Sequence, residues 1–393
     1  MGRSYGDTGL NDNVLLTRRF NKILQFDPVE GIVTCESGVT LAEIIETFLP
    51  KGWFLSVTPG TRFVTVGGAL AGDVHGKNHH SHGCFSECVI FFELMLPGGE
   101  VLLCSRVENS ELFHATCGGI GLTGVILNVT FRLSPVRSGY IRETVIRCRN
   151  LEEVFHRFEE YGRAAYSVAW IDCLAKGHEQ GRSVLMLGEA AEKGPLEFHP
   201  SKTLSVPLDF PGFCLNTWSV SLFNHFYYDS HPDFTEGRLT PLDKFFYPLD
   251  AIRGWNRIYG RRGFCQYQLV LPKEASRPGL LKILTRISDS GMGSFLAVLK
   301  LLGRQNANPL SFPMEGYTLA LDFKVETKLF PLLDELDRIV LDYGGRLYLS
   351  KDSRMSAEVF RRGYPQWERF AELRDRYGMN KKFNSLQSIR LGV

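Results

Sequence analysis

The stretch GDVHGKNHHSHG, residues 72–83, gathers His75, His79, His80, His82 and Lys77 within twelve residues. Imidazoles at this density can hold a metal, flank an anion, or orient a bound organic group and move its protons. The four-residue step from His75 to His79 suits two ligands on one helical face. However, Gly76 interrupts it, no Cys, Asp or Glu pattern nearby completes a set, and Lys77 would put a positive charge beside the cation. Metal is therefore the minority reading, and no metal is expected. His79, His80 and His82 read as solvated loop or capping residues. The second chemistry-bearing stretch is GGRLYLSKDSR, 344–354, where a strand carrying Tyr348 leads to Lys351. Taken alone, Asp352-Ser353 is a helix N-cap and Lys351 a surface lysine.

Three small-residue turns accompany these clusters. They are GRSYGD (2–7), PGTRFVTVGGALAG (59–72) and GGIGLTG (118–124). Gly119, Gly121 and Gly124 formally spell a dinucleotide fingerprint, which requires a strand before it and a helix after it. Here SELFHAT reads as a helix before it and GVILNVTFRL as an alternating strand after it, so that fingerprint is rejected. Glycines still permit close backbone approach. One large, flat, phosphate-bearing ligand would explain three such turns in about 136 residues.

The elements that must position these residues are short strands and helices. NVLLTRRF and GIVTCE read as strands. Residues 39–49 read as a helix capped by Thr40, and FFELMLPGGEVLLCS as a hairpin about Gly98-Gly99. Beyond Pro135, long strands (YSVAWIDCL, GFCQYQLVLP, YTLALDFKV) alternate with helices, which predicts a sheet covered on one face. Residues 188–250 read as mobile or lid-like loops. A length of 393 residues predicts about two domains. A net charge of +2 gives no footprint for nucleic acid, and no apolar run approaches the length of a spanning helix. The nine scattered cysteines, with no C-x-x-C pair, predict reduced thiols and a cytoplasmic setting. The chain opens directly on a turn motif without a leader-like apolar run, which suggests an upstream segment of the domain.

Taken together, GRSYGD, PGTRFVTVGGALAGDVHGKNHH, GGIGLTG, FCQYQLVLP, VLKLLGRQNANPLSFP and GGRLYLSKDSR resemble the FAD-dependent decaprenylphosphoryl-β-D-ribose 2′-oxidases, over essentially the whole chain and in order. The resemblance implies an α+β, two-domain flavoprotein of the vanillyl-alcohol-oxidase (PCMH) type. Its FAD domain would comprise residues 1–136 and the returning segment 346–393. A substrate domain of antiparallel sheet and helices would span 137–345. FAD contacts carry over onto Gly2, Arg3, Ser4, Tyr5, Gly60, Thr61, Val64, Gly68, Gly72, Val74, His75, Gly121, Gly124, Ile126 and Tyr348. Gly2-Arg3-Ser4 stands where covalent relatives have a histidine, so the flavin is expected to be noncovalent.

The resemblance also implies that Tyr5, Lys77, Gln266, Gln268, Lys300 and Lys351 bind substrate and that Lys351 and His75 are catalytic. Gln266 and Gln268 flank Tyr267 on a strand and so share a face. Trp170 is expected at the same wall. The sequence departs from the mycobacterial pattern at Thr318 and Ala320, which replace Asn and Cys, and at Phe246, which replaces Tyr. The implied reaction oxidises the 2′-hydroxyl of a polyprenyl-phosphoryl ribose. A separate NADH-dependent keto-reductase would complete an epimerisation to arabinose. Contact with the inner face of the membrane would be peripheral, with FNHFYY (223–228) as either the lipid-facing loop or a core segment. The competing expectations are an FAD oxidase of another sugar alcohol or aldonolactone, and a truncated, flavin-free binding protein.

Overall fold

In the computed structural model, which describes residues 1–198 and 204–393, the N-terminal part folds around a six-stranded antiparallel sheet. Its long strand Val125–Pro135 pairs with Ile32–Glu36 on one side and Val89–Met95 on the other, and its end also takes Trp53–Leu55. Ile23–Asp27 and Val101–Ser105 form the edges. Alternation along the long strand sends Val129, Phe131 and Leu133 into the core. Helix Leu41–Phe48 is set by a capping box: the Glu43 amide donates to Thr40 Oγ1 at 3.2 Å, and the Glu43 carboxylate accepts from the Thr40 amide at 2.7 Å. NVLLTRRF does not form the expected strand. Val14, Leu15 and Leu16 remain exposed, and the segment makes only the 3-10 turn Thr17–Arg19.

The second sheet has eight antiparallel strands. From one edge they run Phe234–Pro241, Tyr140–Cys148, Ser183–Ala190, Tyr166–Ile171, Ala297–Leu302, Gly316–Lys324, Phe264–Pro272 and Arg346–Leu347. Helices Leu151–Glu160, Lys273–Ser290 and Leu329–Asp342 pack together on one face. That face is polarised: Tyr267 donates its hydroxyl to Asp337 of the last of these helices at 3.0 Å. The opposite face carries Gln266 and Gln268 and looks toward the histidine-rich segment.

The C-terminal segment begins as the edge strand of this sheet and then runs back along the first domain. The Arg374 guanidinium donates to the Leu122 carbonyl at 3.2 Å, and the Leu386 amide donates to the Leu10 carbonyl at 2.8 Å.

The expectation of mobile or lid-like loops over 188–250 needs correction where the region is described; residues 199–203 lie outside the described residues. Helix Thr217–Asp229 is fixed by Asn216, whose side chain caps the Trp218 and Ser219 amides, and strand Phe234–Pro241 forms a sheet edge. FNHFYY is therefore helical, with Asn224 and Tyr228 buried and Phe223 and Phe226 exposed. The aromatic density hid a helix that keeps one face packed and one open. Among the described residues, no helix is long and apolar enough to cross a membrane.

Candidate active site and cofactor groove

The glycine turns converge because backbone fits against backbone between them. The amide of Tyr5 donates to the Ser350 carbonyl at 3.1 Å, tying GRSYGD to SKDSR. A Cβ on Gly6 would lie 1.6 Å from the Asp352 carbonyl oxygen, so this junction admits only glycine. Arg390 clamps the same junction by pairing with both Asp7 and Asp352. Gly118 and Ile120 donate to the carbonyls of Leu70 and Ala71, at 3.1 and 2.8 Å, and so join GGIGLTG to the end of helix Val66–Ala71. Tyr348 Oη donates to the Gly72 carbonyl at 2.9 Å, drawing the C-terminal segment to the same place.

Between these junctions lies a groove. Gly2, Gly60 and Gly121 have no heavy atom within 4 Å of where a Cβ would sit, and Gly60, Gly68 and Gly121 are solvent-exposed. Thr61, Val64, Gly72 and Val74 are partly buried along it, while Gly2, Arg3 and Ser4 lie exposed at one end. Arg3 stacks 5.2 Å from the Phe63 ring. Gly124 and Ile126 are placed differently. A Cβ on Gly124 would meet the Met95 carbonyl at 2.6 Å, and Ile126 is buried in the sheet core.

His75 stands between groove and sheet. Its ring lies 5.3 Å from Tyr348 and 5.5 Å from Phe312, and its Nε2 meets Gln268 Nε2 at 3.2 Å, so Nε2 accepts from the amide and the ring is neutral. Its Nδ1 is buried without a partner among the described residues. A buried ring nitrogen left unmatched is costly unless a ligand satisfies it. An orphaned Nδ1–H donor beside a groove lined by open glycines fits a flat heteroaromatic cofactor with acceptor atoms, such as FAD.

The sheet register assembles the opposite wall. Gln268 is opposite Ala320, which is opposite Val298, which is opposite Trp170. One step along, Thr318 is opposite Lys300; one step the other way, Gln266 is opposite Asp322. The alternation of strands puts all of these on one face. Gln266 donates to Asp322 Oδ1 at 2.5 Å. Lys351 arrives from the loop beyond the edge strand, with its ammonium 3.9 Å above the Tyr5 ring. Lys77 reaches from the histidine-rich segment to the Phe245 carbonyl, 4.2 Å from the Phe245 ring. Phe246 is buried against Phe54 and Tyr166 and serves the core rather than the wall.

Lys351 meets the Asp322 carboxylate at this face, Lys300 lies near Lys351, and Lys77 lies near Lys300 with Glu143 as its carboxylate neighbour. Burial lowers Lys77 to about 7, with Lys300 adding to the effect, and lowers Lys300 to about 8. Burial also lowers Lys351, while Asp322 opposes and Lys300 reinforces the shift. Burial raises Asp322, and the Gln266 hydrogen bond and Lys351 resist it. Burial holds His75 well below its usual range, helped by Lys300, His79 and Lys351. The wall therefore presents polar groups that change protonation near neutrality.

His79 corrects the expectation of a solvated loop residue. It is buried, its Nδ1 accepts from the Gly303 amide at 3.0 Å, and burial lowers it to about 4. His80 bonds the Ala164 carbonyl at 2.8 Å, and His82 is exposed. His79 and His80 pin the segment that delivers His75 and Lys77.

Two residues were missed in sequence. Asp322 completes the alternation Thr318, Ala320, Asp322 and is an acid in an otherwise apolar strand, a signal that was present. Asp73 sits at φ 38°, fully buried, and accepts from Asn306, Asn308 and Ser311 at 2.7–2.8 Å. It locks QNANPLS to the glycine loop, a pairing that no local pattern shows.

Comparison with known proteins places this geometry. Residues 1–105 match the FAD binding domain family. The decaprenylphosphoryl-beta-D-ribose oxidase of Mycolicibacterium smegmatis is 37% identical over all of this chain and 88% of its own length. An uncharacterized protein in the mprA 5′ region of Streptomyces coelicolor is 32% identical over 90% of this chain and all of its own. The L-gulonolactone oxidase of Scyliorhinus torazame is 33% identical, but over only 34% of this chain and 30% of its own. The full-length likeness and the cofactor domain together make this chain an FAD-dependent oxidoreductase, and it belongs to the decaprenylphosphoryl-β-D-ribose oxidase family.

Proposed function

We propose that this chain oxidises the 2′-hydroxyl of a polyprenyl-phosphoryl-β-D-ribose to the 2-keto sugar, with FAD held noncovalently. The observation that carries the reading is the sheet face itself: Lys300, Lys351, Gln266, Gln268 and Asp322 face the groove beside His75, and Lys77 adjoins them. A phosphodiester needs cations, and a ribose needs paired polar groups at fixed spacing.

Bound FAD supplies a two-electron acceptor for the hydride leaving C2′. Gly60, Gly68, Gly121 and the GRSYGD turn would hold it by backbone approach, with Tyr348 and His75 nearby. Gln268 fixes the His75 ring through Nε2, which leaves the Nδ1–H available to a bound group. Lys351, with its pKa lowered, takes the hydroxyl proton as the C2′–H bond breaks, and Asp322 stabilises the ammonium that results. Gln266 fixes the Asp322 carboxylate, and the Tyr5 ring braces Lys351 from below. Lys77 and Lys300 neutralise the phosphodiester. The 2-keto product then serves a separate NADH-dependent keto-reductase, completing an epimerisation to the arabinose sugar. The enzyme works on the cytoplasmic side, in peripheral contact with the membrane that holds its lipid substrate.

Anaerobic mixing with polyprenyl-phosphoryl ribose tests the reading. It should bleach the flavin band in a single turnover, while soluble alditols and aldonolactones should leave it intact. Bleaching by the soluble polyols alone would replace the reading with that of a general sugar-alcohol oxidase.

A further inference from the structure

An open apolar feature lies outside the catalytic wall. On helix Thr217–Asp229, Trp218, Leu222 and Phe226 follow one another at four-residue steps and are 87%, 57% and 64% exposed. The opposite side of the helix is anchored: Val220 and Tyr228 are buried, and Asn224 donates to Asp172 at 2.7 Å. The preceding strap adds exposed Leu208 and Phe213. It is held in place by Phe210 N donating to the Arg257 carbonyl at 2.9 Å and by the Lys324 ammonium donating to the Gly212 and Leu215 carbonyls. The patch is thus a fixed surface, and soluble proteins seldom leave contiguous aromatic groups open without a partner.

Beside the patch opens a cleft of about 750 Å³ between the strap, residues 259–262 and residues 324–328. Arg261, Arg262 and Lys328 line it, and none has a carboxylate within ion-pair range among the described residues. Asp209 and Glu326 also face the cleft, and Glu326 is taken by Lys324 at 2.8 Å. The inner wall of the cleft is Tyr259, which leads to the catalytic face. Its ring stacks on Phe295 and Phe264, Phe295 meets Phe223 of the helix, and Phe264 meets Tyr5 beneath Lys351.

We infer that helix 217–229 and its strap form a docking surface for an anionic, phosphate-bearing lipid bilayer. Trp218, Leu222 and Phe226 enter the headgroup boundary, and Arg261, Arg262 and Lys328 meet the phosphates. Aromatic side chains prefer that boundary, and unpaired cations beside an apolar face complement an anionic headgroup layer. A second copy of the chain would instead bring like-charged clefts together. The inference rests on the proposed lipid-linked substrate only in explaining why such a surface should adjoin the site; it names the surface and the headgroup chemistry that the functional reading leaves open.

The test is sedimentation of the full chain, without sugar substrate, with phosphatidylcholine vesicles and with vesicles containing phosphatidylglycerol. The wild type should partition at least tenfold better onto the anionic vesicles, with a blue shift of tryptophan emission. Trp218→Ser/Leu222→Ser/Phe226→Ser should lose binding at least tenfold, and Arg261→Glu/Arg262→Glu should erase the preference for anionic lipid. All of these positions are exposed, and unchanged bound flavin reports an intact fold. Vesicle binding that the triple variant retains, no binding by the wild type, or a dimer in solution that the triple variant dissolves would each overturn the inference. Flavin bleaching by substrate is read separately, so failure of the docking surface and failure of the proposed reaction are distinguishable.

Discussion

The two walls of the site use opposite means. The wall proposed for the cofactor is backbone: Gly2, Gly60 and Gly121 leave room, and hydrogen bonds between loops set its shape. The wall proposed for the substrate is side chain: Lys300, Asp322, Gln266 and Gln268 project from adjacent strands, and Lys351 joins them from the loop beyond. One wall recognises by closeness and carries little charge. The other concentrates charge where burial moves protonation toward neutrality. The division predicts that damage to one wall should spare the function of the other.

Lys351→Met should separate the walls most strongly. Flavin should remain bound while the rate of its reduction by substrate falls about 10³-fold, the scale of a lost general base. Stopped-flow absorbance reads both quantities, and loss of flavin instead would erase the distinction. Asp322→Asn should cost about 10²-fold in the same rate and should displace the acidic limb of the pH profile.

The converse variant is Gly60→Val. A Cβ there meets nothing, so the apo fold should keep its melting temperature while FAD affinity drops about tenfold, or about 1.4 kcal/mol. Equilibrium titration with FAD measures it. Gly6→Ala makes the contrast within the glycine turns, because its Cβ collides with the Asp352 carbonyl and should destabilise the fold itself.

The smallest effect concerns pH. Lys351 must be unprotonated to accept, so kcat/KM rises with pH as the Lys351–Asp322 pair loses its proton; the apparent value belongs to the pair. It falls again as Lys300, at about 8, and Lys77, at about 7, lose the charges that bind phosphate in the free enzyme. In kcat the alkaline limb should weaken, because bound phosphodiester keeps both lysines protonated. An alkaline limb of equal steepness in both would deny the two lysines that role.

The two walls also differed in how far sequence could reach them. Backbone walls leave local signatures: glycine pairs and small-residue turns lie contiguous in GRSYGD, TVGG and GGIGLTG, and the Thr40–Glu43 capping box is visible as T-x-x-E. The family resemblance then pointed to the lysines and glutamines. Asp322 escaped because its partner Gln266 is 56 residues away and only the strand register brings them opposite. Asp73 escaped for the same reason, since its donors lie more than 230 residues on. His79 differs from its sequence expectation because a buried imidazole bonded to a backbone amide reads no differently in sequence from an exposed one. The helix at 217–229 reads as loop or lid in sequence because its exposed aromatics mask the 3.6-residue period of its buried side.

The most direct test of the account is anaerobic single-turnover reduction of the flavin by polyprenyl-phosphoryl ribose deuterated at C2′. The account predicts complete bleaching with a primary isotope effect in the wild type, and bleaching slowed about 10³-fold in Lys351→Met with flavin still bound. Bleaching at the wild-type rate in that variant, or no bleaching by this substrate in the wild type, would contradict it.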